Sequence, residues 1–182
     1  MTDETKRKIL DAALKIFARE GYNSATTRNI ANESGFSEIT LFRKFGNKEK
    51  LFKEAMKVNH DELQQKCITL MEDLDKIEDP ETFLREYIKK IAVFYHENFD
   101  FFNIMVTEDN IHIDSDMGEF GDSLSEFVSE HINESCCEVT SIVIAINTFI
   151  YTLNLEFFHG IKTDGYEDMI KLFTNNMIKC LN

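Results

Sequence analysis

Apolar residues recur at helical spacing from the first turns of the chain. Ile9, Leu10, Ala13, Leu14, Ile16 and Phe17 make a wide stripe that predicts a helix over 5–20, with Gly21 as its stop. Thr26 can cap a second helix that buries Ile30 and Ala31 and ends near Ser34 and Gly35. Ser37 can cap a third, with Leu41 and Phe45 one turn apart on its inner face and Gly46 and Asn47 as the break. A long fourth helix runs from Asn47 past Leu63, Cys67 and Leu70 to about Lys76. Asp79 followed by Pro80 is a specific start signal for a fifth, which carries Leu84, Tyr87, Ile88, Ile91 and Tyr95 on one face.

The run NFDFFNIM, 98–105, predicts a short buried helix. The acidic segment 107–123, which holds two glycines, reads as a loop before a helix through Leu124 and Phe127. Residues 137–159 are the most apolar stretch and end at Gly160. Asn147, Asn154 and Glu156 interrupt it too often for a membrane span, so a buried helix is expected, with no membrane partner. Its small residues Ser141, Ala145, Thr148 and Thr152 form one face, and Ile142, Ile146, Phe149, Leu153 and Phe157 the other. A last helix opens near Asp164, with Glu167 three residues on, and carries Met169, Phe173, Met177 and Leu181 along one side. One proline and seven glycines in 182 residues leave few breakers, so the fold class is all-α.

Charge changes this picture by dividing it. The net charge is −13, yet residues 1–57 hold twelve Lys or Arg against eight Asp or Glu, a net +4, and the remainder is −17. A basic head on an acidic body places phosphate attraction at one end of the chain. The expected division is a DNA-binding domain over 1–47 and a larger helical domain over 48–182.

Catalytic and metal patterns are missing. His60, His96, His112, His131 and His159 show no HExxH spacing, and neither GxSxG nor GxxxxGK occurs, so the chain does not read as an enzyme. Asp114 and Asp116 do not fit a calcium loop, because the glycine and final glutamate fall at the wrong offsets; no metal or cofactor is expected. Cys67, Cys136, Cys137 and Cys180 make no CxxC pair, and no signal peptide pattern opens the chain. Reduced thiols in a cytoplasmic protein are expected. A redox sensor built on Cys136 and Cys137 is a lesser alternative, since no basic neighbour in sequence lowers their pKa.

The run TTRNIANESGFSEITLFRKF, 26–45, has the spacing of a helix-turn-helix. Ala31 lets the helices approach, Gly35 permits the turn, and Phe36, Leu41 and Phe45 clamp the second helix to the first. Glu38, Ile39, Thr40, Phe42, Arg43 and Lys44 are left facing outward for a major groove. With ILDAALKIFAREGY before it and NKEKLF after it, this stretch resembles the TetR family of transcription regulators.

The resemblance covers the first 57 residues and implies an N-terminal three-helix reading head on a helical effector-binding and dimerisation body. It implies phosphate or base contact by Thr27, Arg28 and Lys48, and entry of Ser37, Glu38, Ile39 and Thr40 into the groove. Phe42 stands where the family usually has tyrosine, and Glu38 where many members have lysine; both remove a phosphate contact. Glu38 can accept from a cytosine amino group or be neutral. The resemblance further implies a homodimer through the last two helices, a pseudo-palindromic double-stranded operator, and repression relieved by a small apolar or amphipathic effector of unknown identity. Phe94, Tyr95, Phe101, Phe102, Met105, Phe127, Phe149, Tyr151 and Phe157 are candidates to line its pocket, because sixteen phenylalanines exceed what a small core needs. A ligand-independent regulator is the alternative.

Overall fold

The computed structural model describes residues 3–108, 116–132, 138–161, 165–179 and 181. Among them the chain forms helices and no strand: α1 (Asp3–Ser24), α2 (Thr27–Ser34), α3 (Glu38–Phe45), α4 (Lys48–Leu74), α5 (Pro80–Glu97), α6 (Phe99–Thr107), α7 (Asp116–His131), α8 (Val139–Phe158) and α9 (Tyr166–Ile178). The all-α expectation holds. Two units are built from these helices, one from residues 1–64 with 100–113 and the other from 65–99 with 114–182.

In the first unit the predicted stripe of α1 is buried throughout, from Ile9 to Phe17, as are Ile30, Ala31, Leu41, Phe45, Leu51 and Phe52. Phe17, Tyr22 and Phe52 close the core edge to face, with Phe17 and Tyr22 each about 5 Å from Phe52. Gly21 does not end α1 as expected. It breaks the helix at φ +75 and ψ 157, and one more turn follows to Ser24. Two distant groups hold that break. The Lys48 ammonium donates to the carbonyls of Tyr22, Asn23 and Ala25 at 2.8, 3.3 and 3.0 Å, and the Glu108 carboxylate accepts the Tyr22 N–H at 2.6 Å. Buried Asn103 adds a bond from its amide to the Ala18 carbonyl at 3.0 Å, so α6 belongs to this unit. The sequence places α6 far from α1 and carries no local signal for that pairing.

In the second unit α5 buries Phe83, Leu84, Tyr87, Ile88, Ile91, Ala92 and Phe94, a wider face than the five residues its periodicity singles out. Asp79 and Pro80 start it as expected, the carboxylate accepting from the Thr82 N–H at 2.9 Å. Helix α9 runs antiparallel to α5, through Arg85–Asn175 and Tyr166–Ala92, and antiparallel to α8, through Phe149–Phe173 and Asn154–Tyr166. The α5 and α8 helices are therefore parallel neighbours.

Helix α8 is long and apolar enough to cross a membrane, with a mean hydropathy of 1.4. A third of that stretch is buried, with Ile142, Val143, Ile146, Ile150 and Leu153 in the bundle beside Asn154, whose amide bonds Ile150 and Tyr166.

Two boundaries differ from the sequence expectation. Helix α7 already begins at Asp116, so the glycine-bearing second half of the expected loop is helical. Two internal glycines cost roughly 1 kcal/mol each, and burial of Leu124, Phe127 and Val128 downstream outweighs that. Helix α9 starts at Tyr166 with Gly165 at the cap in a left-handed conformation and no side-chain cap bond; Asp164, from which the helix was expected to open, lies outside the described residues. Asp114, Cys136, Cys137 and Cys180 lie outside them too.

Candidate nucleic-acid interface

Each helix of the predicted reading unit carries its own start and stop. Thr26 Oγ1 accepts the Asn29 N–H at 3.1 Å and opens α2. Gly35 closes it at φ +74, with its N–H and that of Phe36 returning to the carbonyls of Asn32 and Ala31. That left-handed position is why a glycine stands between the helices. Ser37 then caps α3, its hydroxyl accepting the Thr40 N–H at 3.2 Å and sharing a hydrogen bond with the Thr40 hydroxyl. Leu41 and Phe45 are buried on the inner side of α3, opposite Ile30 and Ala31 on α2. Asn29 also ties α2 to α1 through the Glu20 carboxylate at 3.0 Å, and that bond holds the Glu20 pKa below its ordinary value.

The outward face follows from that anchoring. Ile39 is 79% exposed and Phe42 49%, large apolar side chains left in solvent on a helix whose inner face is satisfied. Arg28 and Arg43 are exposed and Lys44 is half-buried, and Arg43 and Lys44 occupy the last turn of α3. Ser37, Thr40, Ile39, Phe42, Arg43 and Lys44 are thus presented by one short helix, with Arg28 on the first turn of α2 beside it. Two sequence candidates sit differently from the rest. Thr27 donates its hydroxyl to the Glu38 carboxylate at 2.5 Å, linking the starts of α2 and α3. Lys48 turns its ammonium inward onto the end of α1 and lies 4.5 Å from the Tyr22 ring centroid.

The candidate effector residues divide between the units. Phe101, Phe102 and Met105 belong to the first, on α6; Phe94, Tyr95, Phe127, Phe149, Tyr151 and Phe157 belong to the second. Within the second, Phe127 packs on Phe83 and His131, Phe149 stacks on Phe173 at 4.0 Å, and Phe157 is exposed beside His96. A cavity of about 710 Å³ in this unit is lined by other residues, including Asp75, Asp79, Glu130, His131 and Ile178. Burial pushes the Cys67 thiol up to about 11 and the Tyr95 hydroxyl up to about 12, so both are neutral at physiological pH.

Residues 9–55 match the family described as bacterial regulatory proteins, tetR family. The HTH-type transcriptional repressor NicS of Pseudomonas putida is 33% identical over 110 residues, which are 60% of this chain and 50% of that protein. The chain thus spans about half the length of this curated relative. Among solved structures, the TetR family transcriptional regulator PfmR from Thermus thermophilus superposes with a TM-score of 0.72 at 18% identity, covering 100% of this chain and 98% of that one. The transcriptional regulator FadR from Bacillus subtilis, in complex with stearoyl-CoA, gives 0.64 at 19% identity and 96% coverage of both chains. At those identities the likeness is one of fold.

Proposed function

We propose that the chain, whose residues 9–55 match the tetR family of bacterial regulatory proteins, is a TetR-type regulator and not an enzyme, acting as a homodimeric repressor that reads a pseudo-palindromic operator. The observation that carries this is the capped α2–turn–α3 unit with Ile39, Phe42, Arg43 and Lys44 turned outward. A helix anchored on its inner face, with apolar and cationic residues outside, fits a groove lined by bases and phosphates. Arg28, Arg43 and Lys44 supply phosphate or base contacts. Ile39 and Phe42 pack on thymine methyls or sugar. Lys48 acts on DNA at one remove, by fixing the end of α1 on which α2 rests.

Dimerisation completes the reading. On α8 the small residues Ser141, Ala145, Thr148 and Thr152 are all exposed, and Ile144 beside them is 60% exposed. On α9 Leu172 is 60% exposed and Met169 is exposed as well. This face of small and apolar residues is the one offered to a second copy, and two heads held about 34 Å apart would then read one half-site each. The effector is an apolar or amphipathic molecule, a reading supported by the related fold of a regulator crystallised with an acyl-CoA.

The test is binding of purified protein to duplex DNA across a salt series. Affinity falls steeply with salt, and Arg43→Ala weakens it at least severalfold. Binding indifferent to both salt and Arg43 would refute the assignment. For the effector, fatty acids, their CoA thioesters and neutral hydrophobes are tested for a rise in unfolding temperature with release of DNA. A panel with neither effect favours a ligand-independent regulator.

A further inference from the structure

We infer that Glu38, held by Thr27, is a specificity-determining residue that reads cytosine; this rests on the DNA-reading function proposed above. Glu38 is the first residue of α3, and recognition helices meet base edges with their N-terminal residues. An unrestrained glutamate there would lose much side-chain freedom on binding. Here one carboxylate oxygen already accepts the Thr27 hydroxyl, and Thr27 is itself fixed in the first turn of a capped helix. The carboxylate is half-buried and ordered before DNA arrives, so less entropy is lost when it makes a contact. Its second oxygen makes no hydrogen bond among the described residues.

The chemistry then selects the base. A carboxylate only accepts hydrogen bonds. In the major groove guanine presents two acceptors, and thymine an acceptor and a methyl group. Adenine offers its amino group beside an acceptor that repels the carboxylate, whereas cytosine offers an amino donor alone. The same negative charge repels backbone phosphate, so a groove position facing a base edge is the favourable one for this side chain. Rejection of the other bases contributes to specificity along with the bond to cytosine.

The experiment measures wild type, Glu38→Gln and Thr27→Val on an operator enriched from random duplexes by the wild-type protein. Each base pair of one half-site is then replaced in turn. For wild type, one C·G pair is required, and changing it weakens binding by about tenfold. Glu38→Gln keeps an acceptor for Thr27 but gains an amide donor, so its preference at that position moves to adenine while the other positions are unchanged. Thr27→Val lowers discrimination at the same position without changing the preferred base, as a positioning residue should. An unaltered preference in Glu38→Gln overturns the inference. So does tighter binding to every duplex by one common factor, which would make Glu38 a phosphate repeller only. If wild type shows no salt-dependent DNA binding at all, the DNA-reading function fails first and the inference falls with it.

Discussion

Gly21 sits at φ +75 and ψ 157, a backbone region that only glycine occupies readily. A Cβ there would also stand 3.2 Å from the Glu108 carboxylate that caps the break. Gly21→Ala should therefore cost about 1–3 kcal/mol, read by urea unfolding. Tyr87 presents the opposite case, since its hydroxyl is fully buried with no hydrogen-bond partner among the described residues. Tyr87→Phe should stabilise the protein by about 1 kcal/mol, because the burial cost of the unpaired hydroxyl is removed. Asp100 gives a pH signature. Burial pushes its carboxyl above the ordinary 3.8, with Lys15 and Arg19 pulling the other way. A raised folded-state pKa contributes stability that is present below the unfolded value and lost as pH rises through the folded one. Asp100→Asn should then raise the unfolding temperature at pH 7, and the gain should shrink as the pH approaches 4.

At the scale of elements, the caps were the legible part. Thr26, Ser37, Asp79 and Pro80 each start the helix that the local pattern assigned to them, since a cap uses groups only three residues apart. The outward face of α3 followed, because Leu41 and Phe45 fix its rotation. What could not be read locally was set by distant packing. The α7 start depends on burial further along that helix, and α9 takes Gly165 as its cap. Lys48 is the sharpest example at the candidate interface. Its place at the start of α4 resembles a phosphate anchor, yet its three donors meet carbonyls 23 to 26 residues earlier in the chain. Lys48→Met should accordingly lower the unfolding temperature, whereas Arg43→Ala should act chiefly on DNA affinity. Calorimetry and fluorescence anisotropy on the same two variants separate these roles.

For the whole molecule, the charge division puts the basic excess in residues 1–57 and a net −17 in the remainder, which confines phosphate attraction to the reading head. In the proposed dimer the exposed face of α8 and α9 meets a second copy, so Leu172→Glu should yield a monomer by sedimentation with operator affinity reduced at least tenfold. The central claim, that residues 26–45 of two copies read DNA together, is tested most directly by selecting bound duplexes from a random pool. The expected result is enrichment of an inverted repeat whose half-site centres lie about one helical turn, roughly 34 Å, apart. An enriched site without two-fold symmetry, or no enrichment over the starting pool, would contradict it.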